Sequence, residues 1–496
     1  MCGIFGSVSL PVGTHRHKKW IDQSLNLLKE RGPDSQGHLV FKNVTMGATR
    51  LRVHDTRDIA DQPMTSSCGL FSIIFNGAIY NYRDLRKDLI VNGVHFETES
   101  DTEVLLKSFI AWGVSCFAKL RGMFSFALLD KANCKLYICR DQLGIKPLYY
   151  SLSKKHIVFS SLIKPILAFS GMRPSVEKTK IPEQFAFQSL APPSTMFSGV
   201  SALRPGYYIT VDFLNGFSAK QFCYWKIDDT LINPLSCDSV EKLLTKNIYH
   251  CWDNDRASAI QLSGGVDSSV LVALTSVNDI APEIRTHSVV FDSIKNSKFF
   301  WNSEEVYARH VGEKFGCKQN FSIFSDDQIH KALLPAIYQY EQPLYSANSV
   351  LYFLHSMVMS QSSTVIISGE GADDIFLGYF DGKEIDNNLA SMAPQYIKDD
   401  VLCKLFGSDG QILAKQSRNE IIESDRLKHF SSRQKASALT IETVLHGLLA
   451  RQDRMLMSHS LEGRPPFCSV DLVNLRFSMA DDEIHSAGVG KQNIRK

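Results

Sequence analysis

The 496-residue chain has no uninterrupted apolar run of membrane-spanning length, and no basic start followed by an apolar stretch. The first absence argues against a membrane-spanning helix and the second against a secretory leader. Charge of one sign is also missing: 54 Lys and Arg against 52 Asp and Glu leave a net +2. No global field then favours nucleic acid or an anionic membrane as a partner. Cysteine is present without a framework. The eleven residues are scattered, Cys134 and Cys139 being the closest pair, and none has metal-ligand spacing. That pattern predicts reduced thiols in a cytoplasmic compartment. Internal repeats and low-complexity tracts are absent. What is present is globular composition, 44% hydrophobic and 21% charged, in a chain too long for one ordinary core.

The first 160 residues are rich in short β-branched or aromatic runs, at 70–77, 122–130, 135–141 and 156–161. These predict strands, with helices over 18–31 and 101–113 and Ser100 as a cap on the second. Segment 204–235 reads as a hairpin turned at Pro205-Gly206 and Asn215-Gly216, after which NPLSCDS opens a helix. The boundary between two domains is placed near residue 230, giving 2–230 and 231–496. Beyond it strands and helices alternate: SAIQLSG, DSSVLVALTSV, IRTHSVVF, NSEEVYARHVGEKFG and TVIISG. Such alternation predicts a doubly wound parallel sheet in an α/β domain. Residues 435–461 look helical, as an appendage, and 381–433 carry no clear pattern.

The chain begins MCGIFG. If Met1 is removed, Cys2 holds a nucleophilic thiol and, in its own α-amine, a base with a reference pKa of about 7.7–8.0. Gly3 lets the backbone pass close to a ligand. A cysteine here is ordinarily just a small residue, but six segments follow in order: ERGPDSQG (30–37), TRLRVHD (49–55), FNGAIYNYRDLR (75–86), ESDTEVLL (99–106), RGMFSFALLD (121–130) and RDQLGIKPLYY (140–150). Together they resemble the class II glutamine amidotransferase domain, an αββα N-terminal-nucleophile hydrolase, over about residues 2–200. The resemblance implies that Cys2 attacks the glutamine amide and releases ammonia. It implies that Asn76 and Gly77 form the oxyanion hole, that Arg50 grips the α-carboxylate and that Asp101 holds the α-ammonium. Where the family has Asn-Gly-Glu this chain has Asn76-Gly77-Ala78. Losing one charge-assisted hydrogen bond costs roughly 1.5–3 kcal/mol, so weaker glutamine binding is expected.

A second constellation is LSGGVDSSVLVAL (262–274), after an apolar strand and opening a helix. Gly264 and Gly265 let main-chain N–H groups approach an anion, and Ser263, Ser268 and Ser269 add hydroxyls. The lysine of a Walker A loop is absent, and Asp267 would repel phosphates unless a cation intervenes, so Mg²⁺ is expected there. The string resembles the pyrophosphate loop of the ATP pyrophosphatases. On that resemblance Leu262, Ser263, Gly264, Gly265, Asp267, Ser268, Ser269, Ser368 and Gly369 bind ATP. A second strand end, ISGEGADDIFLGY (367–379), offers Glu370 as the base for incoming ammonia and Asp373 as a metal ligand with Asp267. Asp374 stands where relatives carry glutamate. The alternative for this stretch is an acidic surface turn.

RQDRMLMSHSLEGRPPF (451–467) resembles the asparagine synthetase signature. Its Arg451 and Arg464 are candidates for binding an acceptor carboxylate; a structural ion pair with Glu462 is the equal alternative. Both halves in this order resemble glutamine-hydrolysing asparagine synthetase over nearly the whole chain. The resemblance implies ATP and Mg²⁺, small-molecule substrates, an acyl adenylate and an intramolecular passage for ammonia. It makes aspartate the default acceptor and leaves a homodimer open. Two other readings stand beside it: the same chemistry on a sugar uronate or secondary-metabolite carboxylate, and a non-catalytic scaffold. Cys2 disfavours a β-lactam-forming relative. Relatives run on past the region of Lys491 and carry a lysine near the pyrophosphate; here Lys491 or another lysine substitutes, or adenylation is impaired.

Overall fold

The computed structural model describes residues 2–9, 15–170, 174–227, 239–290, 302–344, 346–380, 395–484, 491 and 494. The chain divides into two compact units: Met1–Glu177 with Pro192–Lys226, and Lys178–Ala191 with Ile227–Lys496.

The first unit is built from strands β1 (Cys2–Val8), β2 (Ser35–Phe41), β3 (Val44–Arg50), β4 (Met64–Thr65), β5 (Phe71–Ile79), β6 (Gly122–Asp130), β7 (Lys135–Arg140), β8 (Tyr149–Leu152), β9 (Ile157–Ser160), β10 (Ser201–Ala202), β11 (Tyr207–Asp212) and β12 (Ser218–Cys223). They form two six-stranded sheets, in the orders β10-β8-β9-β1-β3-β2 and β12-β11-β7-β6-β5-β4. Side chains alternate along a strand, so an apolar run serves two cores at once. Ile4 of β1 and Ile74 of β5 meet in a core between the sheets, with Met46, Ala127 and Ile138. Their neighbours point outward. Phe5 packs under the helix His15–Leu28 through Trp20 and Leu28. Phe75 packs under the helix Asp101–Trp112 through Leu105 and Phe109. Two sheets between two helical layers make the αββα sandwich. Ser100 caps the second helix, its side chain accepting Glu103 N–H at 3.2 Å. The expected hairpin is β11–β12, paired from Tyr207↔Cys223 to Asp212↔Ser218.

The second unit holds β13 (Ser258–Gln261), β14 (Arg285–Val290), β15 (Lys318–Ile323), β16 (Val365–Ile367) and β17 (Glu462–Arg464). They form one sheet in the order β15-β14-β13-β16-β17, each neighbouring pair parallel. From β13 the chain steps outward through helices Val266–Val277 and Asn302–Lys314, then returns from β15 through Asp326–Tyr340 and Asn348–Met359 to lay β16 on the other side of β13. Parallel crossovers are right-handed, so this reversal sends the two helix pairs to opposite faces. The reversal also opens a crevice at the C-terminal ends of β13 and β16.

Helices Ser432–Glu442 and Val444–Met457 cover the expected helical stretch. Within 381–433, where no pattern was legible, a helix runs Asp399–Ile422 with a non-helical break at Gly407; residues 381–394 lie outside the described residues. This helix explains why Lys178–Ala191 belongs with the second unit. Ala186 and Phe187 bury against Leu402 and Ala414, Ser417 bonds Glu183 at 3.0 Å, and the Arg418 guanidinium lies 3.2 Å from the Phe187 ring centre. The NPLSCDS stretch lies largely outside the described residues; the helix after it starts at Val240, with Ser239 as its cap. All cysteines among the described residues are free thiols. None of the described helices is long and apolar enough to cross a membrane.

Candidate active sites

In the first unit, β1 pairs antiparallel with β3 and sets Cys2 opposite Arg50. Cys2 is buried, and its N–H donates to Asn76 Oδ1 at 3.1 Å. Arg31 Nε donates to the Cys2 carbonyl at 3.3 Å. Gln62 Nε2 lies 3.7 Å from the Cys2 sulfur. Asn76 and Gly77 sit side by side on β5, opposite Ser125 and Phe124 of β6. At Gly77 a Cβ would lie 2.1 Å from the Met123 carbonyl oxygen of the neighbouring strand, so the position excludes any side chain. These residues come together because β1 and β5 run in facing sheets and both reach the same edge.

Arg50 and Asp101 are buried at the same end of the unit. The terminal nitrogens of Arg50 donate to Asp61 Oδ1 at 2.7 Å and to the carbonyls of His54, Asp55 and Arg57. The guanidinium therefore shapes the loop from 54 to 61. Asp61 also takes two bonds from Arg52, and these arginines hold its carboxyl below the usual range against the opposing effect of burial. Asp101 Oδ2 accepts Ile79 N–H at 2.9 Å, which ties the helix start to the end of β5. Ala78 is fully buried and adds no polar atom.

In the second unit a cavity of about 400 Å³ lies where the chain leaves β13 and β16. Leu262, Ser263, Asp267 and Ser268 form one wall, Ser368, Gly369, Glu370 and Asp373 another, and Arg451 a third. Gly264 has φ +88°, and a Cβ there would lie 2.4 Å from the Glu304 carbonyl. The Gly264–Gly265 turn thus depends on glycine. Ser268 Oγ closes it, within 3.2 Å of Ser263 N and 3.1 Å of Gly265 O. Ser269 turns into the helix, its N–H on Gly265 O at 3.0 Å.

Lys491 pairs with two acids of this cavity's lining. Its Nζ lies 2.7 and 2.8 Å from the two Asp267 oxygens and 2.6 Å from Asp373 Oδ1. Burial alone would lower the ammonium's pKa, but Asp267 and Asp373 raise it. Two carboxylates thus converge on one cation. Hard oxygens in that arrangement suit Mg²⁺, which takes one or two protein carboxylates and completes its shell with phosphates and water. Asp374, next in sequence, is fully buried and its carboxyl is pushed well above the usual range, first by burial and then by Asp373 and Glu370.

Glu370 accepts from Arg451 at 2.6 Å, both side chains being mostly buried. Arg464 is placed differently. It is fully buried, its Nε bonds Glu462 at 2.6 Å, and its NH1 reaches the carbonyls of His250, Cys251 and Asp253 at the end of the helix Val240–Trp252. Of the two readings open for Arg464, the geometry fits the ion pair with Glu462, with Nε on that carboxylate and NH1 on a helix terminus. Arg451 alone of the two lines the cavity.

Several cavity residues carry no sequence signal. Tyr352 donates to Gln261 Oε1 at 2.9 Å, and Gln452, outside the lining, bonds the lining residue Ser368 through Nε2 at 2.5 Å. His287 and His355 lie at the floor with rings 6.1 Å apart. Burial lowers their imidazoles to about 4 and about 3. In the first unit Gln62 went unseen, and Arg31 fell inside a quoted segment without a role. A single polar residue in a loop shows its partner only when the fold closes.

Residues 1–224 match the family model described as glutamine amidotransferase domain, and residues 239–496 match the model described as asparagine synthase. Asparagine synthetase [glutamine-hydrolyzing] 3 of Bacillus subtilis (strain 168) is 31% identical, over 95% of this chain and 80% of that protein. Asparagine synthetase [glutamine-hydrolyzing] 1 of the same organism is 27% identical, over 100% of this chain and 84% of that protein. Among solved structures, glutamine PRPP amidotransferase from B. subtilis aligns over 66% of this chain and 91% of its own, at a TM-score of 0.35 and 14% identity, too slight a likeness to add to the fold. With both units and both sites in view, the chain belongs to the asparagine synthase family, as a carbon–nitrogen ligase that draws its nitrogen from glutamine.

Proposed function

We propose that the chain amidates a carboxylate acceptor, aspartate by default, in three steps. At the first site the Cys2 thiol passes its proton to the freed α-amine, and the sulfur attacks the glutamine side-chain carbonyl. Asn76 and Gly77 face the oxygen that becomes negative. The C–N bond breaks, the leaving nitrogen takes the proton and departs as ammonia, and water hydrolyses the thioester to glutamate. Asp101 and Arg50 hold the amino-acid end of the substrate, Arg50 by exchanging loop carbonyls for the substrate carboxylate, and Ala78 weakens that hold.

At the second site an acceptor carboxylate oxygen attacks the α-phosphorus of ATP and pyrophosphate leaves. Ammonia then attacks the acyl carbon, Glu370 takes the surplus proton, and AMP leaves. The glycine loop binds the phosphates, and Lys491 with Asp267 and Asp373 manages their charge. Bound Mg²⁺, held by the same two acids, would neutralise charge on the phosphates. Arg451 is the cavity's guanidinium for the acceptor carboxylate. In the free protein it holds Glu370, so acceptor binding at Arg451 releases Glu370 for its work as a base.

One observation carries this reading: a single cavity is lined by Leu262, Ser263, Asp267 and Ser268 of the glycine-loop segment, by Asp373 and by the Glu370–Arg451 pair, and Lys491 pairs with Asp267 and Asp373. Mass spectrometry after incubation with glutamine, ATP, Mg²⁺ and aspartate tests it. Asparagine, AMP, pyrophosphate and glutamate in equal amounts are expected. Pyrophosphate release with a uronic acid and not with aspartate would move the acceptor to another class. No release with either would end the proposal.

A further inference from the structure

Gln62 stands on the loop between β3 and β4 and is 5% exposed. Its Oε1 accepts the Phe75 main-chain N–H at 2.6 Å. A main-chain N–H can only donate, so the carbonyl end of the amide has to face it. The amino end is then fixed on the other side, where Nε2 lies 3.7 Å from Cys2 Sγ. Reversing the amide would set two donors against each other at Phe75. The loop has little room to shift: Asp61 beside it is held by Arg50 and Arg52, and a Cβ on Gly37 would lie 2.6 Å from the Gln62 carbonyl. Phe75 precedes Asn76, which holds the Cys2 nitrogen. One strand, β5, therefore orients groups on both the base and the nucleophile of Cys2.

We propose that Gln62 is a thiolate-stabilising residue: its Nε2–H donates to the Cys2 sulfur once the thiol has passed its proton to the α-amine. A thiol accepts a hydrogen bond weakly and a thiolate strongly, so a donor fixed at this point favours the charged form and aims the sulfur. Gln62 itself neither gains nor loses a proton. The inference rests on the reading of Cys2 as the nucleophile.

The test is the pH dependence of Cys2 alkylation by iodoacetamide in the full chain with Met1 removed, read by mass spectrometry of the N-terminal peptide. Gln62→Met keeps length and removes the donor. Gln62→Glu keeps the acceptor for Phe75 N–H, so the loop stays in place, and replaces the donor with an acceptor. The alkylation inflection is expected to rise by about one pH unit in Gln62→Met and further in Gln62→Glu. The turnover number for glutamine hydrolysis at neutral pH should fall about tenfold with KM nearly unchanged. Should Gln62→Met not fold, Gln62→Glu decides alone. An inflection that coincides with wild type in a folded variant overturns the proposal. Alkylated wild-type protein that still hydrolyses glutamine would instead overturn the role of Cys2, whatever the inflections show.

Discussion

Lys491 grips Asp267 through both carboxylate oxygens, at 2.7 and 2.8 Å, and takes Asp373 as a second anion at 2.6 Å. Asp267 opens the helix after β13, and Asp373 lies in the short helix Ala372–Phe376 after β16, so one ammonium ties together the segments that follow two neighbouring strands. Phosphates entering there would meet two negative side chains and one positive one. Without the lysine the balance turns repulsive.

Lys491→Met should therefore abolish ATP turnover more than it harms the fold. Removing one preorganised charge contact from a transferring phosphoryl group typically costs 10²–10³ in rate, and pyrophosphate release should fall by at least about 100-fold. Glutamine hydrolysis in the first unit should be largely retained. Equal loss of both activities would show that Lys491 matters for folding and not for phosphate chemistry.

The two arginines of the 451–464 segment should separate cleanly. Arg464→Met leaves Glu462 as an uncompensated buried charge and strips the helix end at His250–Asp253 of its donor. Breaking such a buried pair costs about 3–5 kcal/mol, so the unfolding midpoint should drop while the acceptor KM of folded protein stays put. Arg451→Met should do the reverse, raising the acceptor KM with a small change in stability. A raised acceptor KM in Arg464→Met would return that residue to the acceptor site.

Much of this arrangement was legible in the chain itself, for a physical reason. β1, β5 and β6 are buried on both faces, so their apolar runs announce strands, and Gly264 and Gly371 mark turns that other residues strain to make. Charges within quoted motifs were visible, but their partners were not. Arg464 and Arg451 look alike in sequence; the difference is that one points at a helix terminus and the other at Glu370. The helix Asp399–Ile422 was missed because few of its positions are buried and Gly407 breaks its period. Gln62 was invisible because its meaning depends on Phe75 and Cys2, 13 and 60 positions away.

Ala78→Glu restores a carboxylate near the ammonium end of bound glutamine. Ala78 is fully buried beside Gly77 on β5, so the new side chain must direct its charge into the substrate site to avoid an unpaired burial. The KM for glutamine should fall about tenfold, equivalent to one charge-assisted hydrogen bond, with the turnover number little changed. Glutaminase kinetics decide it. An unchanged or higher KM in a folded variant would mean that Asp101 already supplies what the site can use.

His287 and His355 should make the second unit acid-sensitive. Both are buried; His287 Nε2 is within 3.5 Å of the Ser362 and Ser363 hydroxyls, and His355 Nδ1 is 3.1 Å from Ser322 Oγ. Burial is the main cause that lowers each imidazole, to about 4 and about 3, with Arg285 adding to it for His287 and His287 for His355. An unfolded histidine titrates near 6.5, so between these values the unfolded chain binds more protons than the folded one. Stability is then full above about pH 6.5 and falls as pH drops, by about 2 kcal/mol per histidine at pH 5. His355→Leu removes one of the two titrations. Its unfolding midpoint should fall less between pH 7 and pH 5 than that of wild type, even if it starts lower from the lost Ser322 contact. Parallel midpoint curves for the two proteins would show that the buried imidazoles carry no proton-linked cost.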